Sequence, residues 1–239
     1  MAHKQGFYEK YIKRPQDLIC ASLAAVVLSP VMLVTAILVK IKLGSPVIFS
    51  QDRPGKDGKI FKLYKFRTMT DERDVDGNLL PDDQRLTSFG VALRRSSLDE
   101  LPELLNIIKG DMAIVGPRPQ LVRDMLFMTD EQRKRHTVRP GLSGLAQVNG
   151  RNAIKWEDRL EWDLKYILNI TFLGDIKIIL ATIKKALFLH EGVNEDDMAT
   201  SEDLGDYLLR TGRITQEEHD IGFNEAKKLI EEFEQEIQV

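Results

Sequence analysis

The sequence predicts an α+β protein, mostly helical, in which an N-terminal membrane helix precedes a small β-hairpin and a series of amphipathic helices. Three observations predict it. Residues 18–39 read LICASLAAVVLSPVMLVTAILV, with no charged side chain. Residues 46–67 read PVIFSQ, then a turn-rich DRPGKDGK, then an alternating IFKLYKFR. From residue 98 onward, apolar residues recur at intervals of three and four.

As a straight helix, residues 18–39 would measure about 33 Å, enough to cross a hydrocarbon core of roughly 30 Å. Two details favour a helix that dips into the bilayer and returns. Ser29-Pro30 lies near its middle, where proline removes a backbone donor and bends a helix. The carbonyl so freed needs a partner inside the bilayer, and the Ser29 hydroxyl is one. The flanks are basic on both sides, Lys10, Lys13 and Arg14 before and Lys40 and Lys42 after, so both ends read as cytoplasmic. A bitopic helix kinked at Pro30 is the alternative. No small-residue cleavage site follows, which argues against a removed signal peptide.

The remaining composition is that of a soluble body, 43% apolar and 30% charged over 239 residues. We divide the chain into a membrane helix with basic flanks at 1–45, a cytoplasmic domain at 46–193 and an acidic helical extension at 194–239. One cysteine, Cys20, excludes a disulfide framework. The net charge of -3 hides an asymmetry, because 194–239 hold 14 acidic and 4 basic residues and leave the rest of the chain at +7. A basic body beside a membrane helix suits anionic headgroups and phosphate-bearing substrates. Nucleic acid is not expected, since no recognition motif or aromatic-basic platform is present. The four histidines are scattered, against a zinc site.

In the hairpin, period two puts Lys65 and Arg67 on one face, either as a solvated strand face or as paired cations. Residues 70–87 are a polar loop with an Asp76-Gly77 turn. Leu98, Leu101, Leu104, Leu105 and Ile108 then mark a helix that stops at Lys109-Gly110. Its first turn holds Asp99 and Glu100. Ser97-Leu98-Asp99-Glu100 has capping-box form, although Pro102 would break a bond of a helix begun at Ser97. The other reading is a nucleophile and acid/base pair, or a metal site, beside Arg94 and Arg95. Residues 112–115 form a short strand. Gly116-Pro117-Arg118-Pro119 follows, and two prolines stiffen the support of Arg118, which either suits it to bidentate phosphate recognition or leaves it a loop arginine in a plain turn.

A polar helix at 129–135 opens on a second capping box, Thr129-Asp130-Glu131-Gln132. Residues 138–151, VRPGLSGLAQVNGR, offer Arg139, Asn149 and Arg151 among glycines but match neither the Walker nor the GxGxxG pattern. Helices follow at 156–168 and 172–189, the second striped by Ile176, Ile179, Ile183 and Leu187. With Trp156 and Trp162 nearby, they lie in the membrane interface or pack on the body. The extension reads as helices at 201–209 and 215–237, the latter opened by a Thr215-Gln216-Glu217-Glu218 capping box. Its seam of Phe223, Ala226, Ile230, Phe233 and Ile237 docks on the body, pairs with a second copy or binds another protein.

Several motifs in order, QDRPG, YKFRTM, SLDEL, KGDM, VGPRP, VRPGLSG and QVNGRN, with the Ser29-Pro30 break before them, make residues 8–193 resemble the bacterial sugar transferases. Within these they are similar to the small monotopic phosphoglycosyl transferases, with the diacetylbacillosamine-1-phosphate transferases of bacterial protein N-glycosylation the nearest branch. The resemblance implies transfer of a sugar-1-phosphate from a UDP-sugar to undecaprenyl phosphate, with release of UMP, at the cytoplasmic face of the bacterial inner membrane. It implies a re-entrant helix, Asp99 as nucleophile of a phosphosugar-aspartyl intermediate, Glu100 as its catalytic partner, and magnesium bound close to Asp99. The expected substrate contacts are Lys65, Arg94 and Arg118 for phosphate, Arg139, Asn149 and Arg151 for the nucleotide-sugar, and Arg67 as a further substrate-binding residue. An N-acetylated or diacetylated amino sugar is the expected donor group. The rivals are transfer of the bare sugar with release of UDP, and a non-catalytic membrane scaffold that recruits glycan enzymes through its acidic tail; intact Asp99 and Glu100 argue against the scaffold.

Overall fold

A computed structural model describes residues 5–150, 155–185 and 202–237. After a π-helical turn at Tyr8–Ile12, helix α1 runs over Lys13–Leu43. It continues through Pro30 with no unwound turn. Pro30 has no N–H to offer the Val26 carbonyl one turn back. The Ser29 hydroxyl donates to that carbonyl instead, at 2.7 Å, as the sequence leads one to expect. In its N-terminal half Ala21 packs with Phe61, Leu63, Leu104, Ile107 and Met112. In its C-terminal half Val39 and Leu43 pack with Phe66 and Leu93. Both halves therefore rest on the same body, while Leu23, Val26, Val27, Leu33 and Val34 are exposed along the other side.

Strands β1 (Ile48–Pro54) and β2 (Ile60–Phe66) form the expected antiparallel hairpin. Phe61 and Leu63 are buried, and alternation puts Lys65 on their face, toward the interior. The 70–87 loop is pinned by the bridges Met69↔Leu86 and Arg73↔Leu79 and holds a short α2 (Asp82–Arg85). Helix α3 (Ser88–Ser96) is N-capped by Thr87, which accepts from the Gly90 amide.

The break that Pro102 implies for a helix begun at Ser97 divides this stretch into two elements. Ser97 is left-handed (φ 55°) and closes α3; a 3₁₀ turn spans Leu98–Glu100, with no side-chain cap from Ser97. Helix α4 (Glu103–Lys109) starts only after Pro102, which occupies its N-cap position. Proline removes a donor and crowds the preceding turn, so the capping-box pattern loses to it. The end of α4 is as expected, at Gly110 with φ 102°.

Strand β3 (Ala113–Val115) pairs in parallel with β4 (Gly141–Ser143), a strand the sequence did not announce. Between them lie α5 (Val122–Leu126), α6 (Asp130–Arg133) with its Thr129/Gln132 capping box, and a 3₁₀ turn at Lys134–Thr137. Helices α7 (Leu145–Val148), α8 (Trp156–Leu168) and α9 (Phe172–Lys184) follow. Arg151 and the 186–189 end of the expected helix, Leu187 included, lie outside the described residues. Asp175 and Ile178 form the buried face of α9, whereas Leu180 and Ile183 are exposed. The predicted stripe is thus off by the step from Ile179 to Ile178. Trp156 is buried with Met128, Leu160 and Leu204, so it anchors the extension and does not sit at a membrane boundary.

The extension comprises α10 (Leu204–Arg210) and α11 (Gln216–Glu236), the latter with the predicted Thr215/Glu218 box. Its seam meets the chain's own body. Ala226 is buried, the Arg123 guanidinium lies 5.1 Å from the Phe223 ring centre, and Lys62 pairs with Glu234 at 3.6 Å.

Candidate active site

The α3–α4 junction concentrates charge. The left-handed Ser97 turns the chain so that the following 3₁₀ turn delivers Asp99 and Glu100 to the inner face of β2 and the loop after β3. Lys65 Nζ lies 2.8 Å from Glu100 Oε1, and Arg118 Nη2 lies 2.7 Å from the same oxygen. Lys65 also stands 3.2 Å from Glu103 Oε1. Asp99 is only 7% exposed, and among the described residues it accepts no hydrogen bond from a side chain or amide.

These contacts split the carboxylates. Burial and the neighbouring Glu100 charge push the Asp99 carboxyl up to about 6, against the pull of Lys65, Arg94 and Arg118. Burial would also raise Glu100, but Arg118 and Lys65 outweigh it and hold its carboxyl well below the usual range. Glu103 is pushed up to about 7, chiefly by burial. Burial opposes the Lys65 charge as well, yet Glu100 and Glu103 raise its proton affinity. Adjacent acids with opposed proton affinities are the pattern by which one site holds both an anion and a proton carrier.

The other predicted residues divide. Arg94 Nε donates to Thr68 Oγ1 at 3.1 Å, and its charge acts on Asp99. Arg67 does not join the cluster. Its nitrogens go to the Met69 and Ser45 carbonyls, both at 2.7 Å, and to Asp71. Because β2 ends at Phe66, the shared strand face with Lys65 is lost. Arg139 Nε donates to the Gly110 carbonyl at 2.7 Å, at the far end of α4, and Asn149 Nδ2 donates to the Leu145 carbonyl. Neither is brought to the dyad.

Two members of the cluster were not foreseen. Glu103 follows Asp99 by four residues and Glu100 by three, a spacing that hides it among the helix-facing positions. Arg53, from QDRPG, donates to the Pro119 carbonyl at 3.2 Å and props the Arg118 loop. Among the described residues no three metal-ligand side chains converge. Magnesium takes one or two carboxylates and completes its shell with water and substrate phosphate, so Asp99, with a proton affinity that a cation would relieve, fits as its one protein ligand.

The stretch holding these groups has counterparts elsewhere: residues 8–189 match the model of the family described as bacterial sugar transferase. The chain belongs to the bacterial sugar transferase family. This sugar transferase is 50% identical over 191 residues to EpsL of Bacillus subtilis (strain 168), described as an uncharacterised sugar transferase; the match covers 80% of this chain and 94% of that one. It is 40% identical over 186 residues to the UDP-glucose:undecaprenyl-phosphate glucose-1-phosphate transferase of Escherichia coli (strain K12), covering 74% of this chain and 40% of the relative. It is 38% identical over 188 residues to the UDP-N-acetylgalactosamine-undecaprenyl-phosphate N-acetylgalactosaminephosphotransferase of Aeromonas hydrophila, covering 74% and 44%. The chain thus spans less than half the length of these last two. As a bacterial sugar transferase it is an enzyme, and Lys65, Arg94, Asp99, Glu100, Glu103 and Arg118 all fall within the matched residues, whereas α10 and α11 fall beyond them.

Proposed function

We propose that this enzyme transfers the sugar-1-phosphate of an N-acetylated amino sugar from its UDP-sugar to undecaprenyl phosphate, releasing UMP through a covalent intermediate on Asp99. The observation that carries the reading is a buried carboxylate, Asp99, with no hydrogen-bond donor among the described residues, beside a Glu100 clamped by Lys65 and Arg118. The names of the Escherichia coli and Aeromonas hydrophila relatives, with undecaprenyl phosphate as acceptor and a sugar phosphate as the transferred group, support donor and acceptor classes. The N-acetylated sugar follows the second of these and the resemblance to the diacetylbacillosamine branch.

In the first displacement an Asp99 oxygen attacks the phosphorus that bears the sugar. The bond from that phosphorus to the bridging oxygen breaks, and its electron pair leaves with UMP. A magnesium ion, when bound, would be held by Asp99 and would supply charge neutralisation for the attack and for the leaving group. Lys65, Arg94 and Arg118 supply the fixed positive charge around it. In the second displacement an oxygen of undecaprenyl phosphate attacks the same phosphorus, the bond to Asp99 breaks, and Asp99 is regenerated as a carboxylate. Glu100 takes the proton that the acceptor phosphate carries in. In the resting site Glu100 is a weak base, because Lys65 and Arg118 hold its charge. Phosphates that draw those cations away raise its proton affinity, so it becomes a base when the substrates are present.

The helix α1 is read as re-entrant, with the body on the cytoplasmic face of the bacterial inner membrane. The packing of both its halves on one charged body supports this, as do basic flanks at each end. The dyad then stands at headgroup depth, where the acceptor phosphate lies.

Intact-protein mass, after incubation with magnesium and a panel of UDP-sugars, tests the reading against Asp99→Asn. A gain of one sugar phosphate with release of UMP, absent from the variant, is expected. Release of UDP with no adduct, or no product on addition of undecaprenyl phosphate, would overturn it.

A further inference from the structure

Arg118 reaches Glu100 from an irregular loop, residues 116–121, whose course is fixed by contacts from outside it. Arg53 donates to the Pro119 carbonyl at 3.2 Å, and Arg135 Nη2 donates to the Arg118 carbonyl at 2.6 Å while paired with buried Asp163. At the end of the loop the Leu121 amide donates to Asp124 Oδ2 at 2.8 Å. Asp124 is 1% exposed, and its other oxygen accepts from the amide of Leu204 at 2.9 Å. One buried carboxylate therefore ties the loop that carries Arg118 to the first residue of α10, 80 positions away in sequence.

The neighbours of Asp124 repeat the tie. Arg123 lies 2.8 Å from Asp203, which caps α10 by accepting from the Asp206 amide. Phe127, just past α5, enters a slot between α10 and α11. A Cβ on Gly205 would stand 2.6 Å from its ring, and one on Gly222 would stand 2.5 Å from it. A glycine within a helix costs about 0.5–1 kcal/mol relative to alanine. Two of them on facing helices leave room that no other residue leaves, and one aromatic ring fills it. Leu204, Gly205 and Gly222 lie beyond residue 189, where the family match ends, whereas Arg123, Asp124 and Phe127 lie within it.

We propose that residues 202–237 are a positioning module for the transfer reaction, holding the Arg118 guanidinium in register with Glu100 through α5, with Asp124 and Phe127 as positioning residues. This rests on the reading of Arg118 as a phosphate contact. The extension itself touches neither Asp99 nor Glu100 among the described residues; it acts through the loop.

The test uses the full chain in nanodiscs with three variants, Gly222→Leu, Arg118→Lys and the two combined. Gly222→Leu closes the slot. It is expected to speed amide exchange over residues 116–126 and 204–236, and to lower kcat/KM for the UDP-sugar about tenfold. In the Arg118→Lys background the same change is expected to cost less than twofold, because the group it positions is already gone. Phe127→Ala empties the slot without crowding it and replaces Gly222→Leu should that variant fail to fold. Faster exchange in 204–236 with unchanged kcat/KM, or the same loss in both backgrounds, would overturn the positioning role and leave the extension a stabilising element. A wild type that transfers no sugar phosphate from any donor overturns the transfer reading and, with it, this one.

Discussion

Lys65 Nζ lies 2.8 Å from Glu100 Oε1 and 3.2 Å from Glu103 Oε1, so a single ammonium serves two carboxylates on either side of Pro102. Arg118 also pairs with Glu100, and Asp99 lies alongside under the charges of Lys65, Arg94 and Arg118. Breaking so closely shared a contact has measurable consequences.

Removing the ammonium should unbalance the cluster. Lys65→Met leaves Glu103, 2% exposed, with no cation in contact, and breaking a buried pair costs about 3–5 kcal/mol. A matching fall in the thermal midpoint of the detergent-solubilised protein is expected, together with loss of transfer. Adding Glu103→Gln removes one stranded charge, so the double variant should regain part of the midpoint and none of the activity. A midpoint unmoved by Lys65→Met would show that the pair is not coupled to folding.

Asp99 should trade stability for reactivity in a pH-dependent way. Its carboxyl stands near 6 in the folded chain against an ordinary 3.8, so the folded form binds the proton more tightly than the unfolded form. Stability is then lost as pH rises through that window, and the full penalty is present above it. Asp99→Asn should therefore stabilise the free protein at pH 7.5 by about 1–3 kcal/mol, with no gain below pH 4. Thermal melts of the two proteins from pH 4 to 8 give the comparison. Adduct formation in the wild type should fall off on the acid side of about pH 6 or lower, as the nucleophile takes up its proton.

The hydroxyl of Ser29 should matter only because Pro30 is there. Ser29→Ala strips the Val26 carbonyl of the donor it has at 2.7 Å, at a cost of about 0.5–1.5 kcal/mol. Pro30→Ala supplies a backbone amide for the same carbonyl, so in that background Ser29→Ala should be close to neutral. Equal costs in both backgrounds, read from denaturation in mixed micelles, would detach the two residues from one another.

Topology follows from the same helix. Single cysteines placed at Lys10 and at Lys42, in a Cys20→Ser chain, should react with a membrane-impermeant maleimide in inverted inner-membrane vesicles and resist it in intact spheroplasts. A Lys42 site that labels from the outside would make α1 a spanning helix and remove the dipping arrangement.

Much of this molecule is written locally, and those parts can be read from the chain. The capping boxes at Thr129/Gln132 and Thr215/Glu218 need only four consecutive residues, and both form. Helix α8 falls at 156–168, where its spacing put it, and Ser29 finds the carbonyl that Pro30 vacates. What fails is whatever depends on a distant partner. Strand β4 is three residues long and exists because β3 lies beside it. Arg67 and Arg139 look like substrate ligands in a motif, yet Arg67 goes to the Met69 and Ser45 carbonyls and to Asp71, and Arg139 Nε goes to the Gly110 carbonyl. Asp99 and Glu100 were legible as a pair; Glu103 was not, since a buried acid at a helical spacing looks like any other polar position until Lys65 is seen against it.

The seating of α1 along the body has a consequence for what the membrane itself can do. Because Ala21 near one end and Val39 near the other are both locked into the domain, helix and dyad move as one piece, and the height of Asp99 is set wherever the exposed apolar side of α1 finds hydrocarbon. On the proposed reaction the acceptor's phosphate is carried by the lipid and the nucleophile by the protein, so their vertical offset is a property of the bilayer. Acyl-chain length then becomes a control on turnover, able to bring the reactants level or hold them apart without altering a side chain.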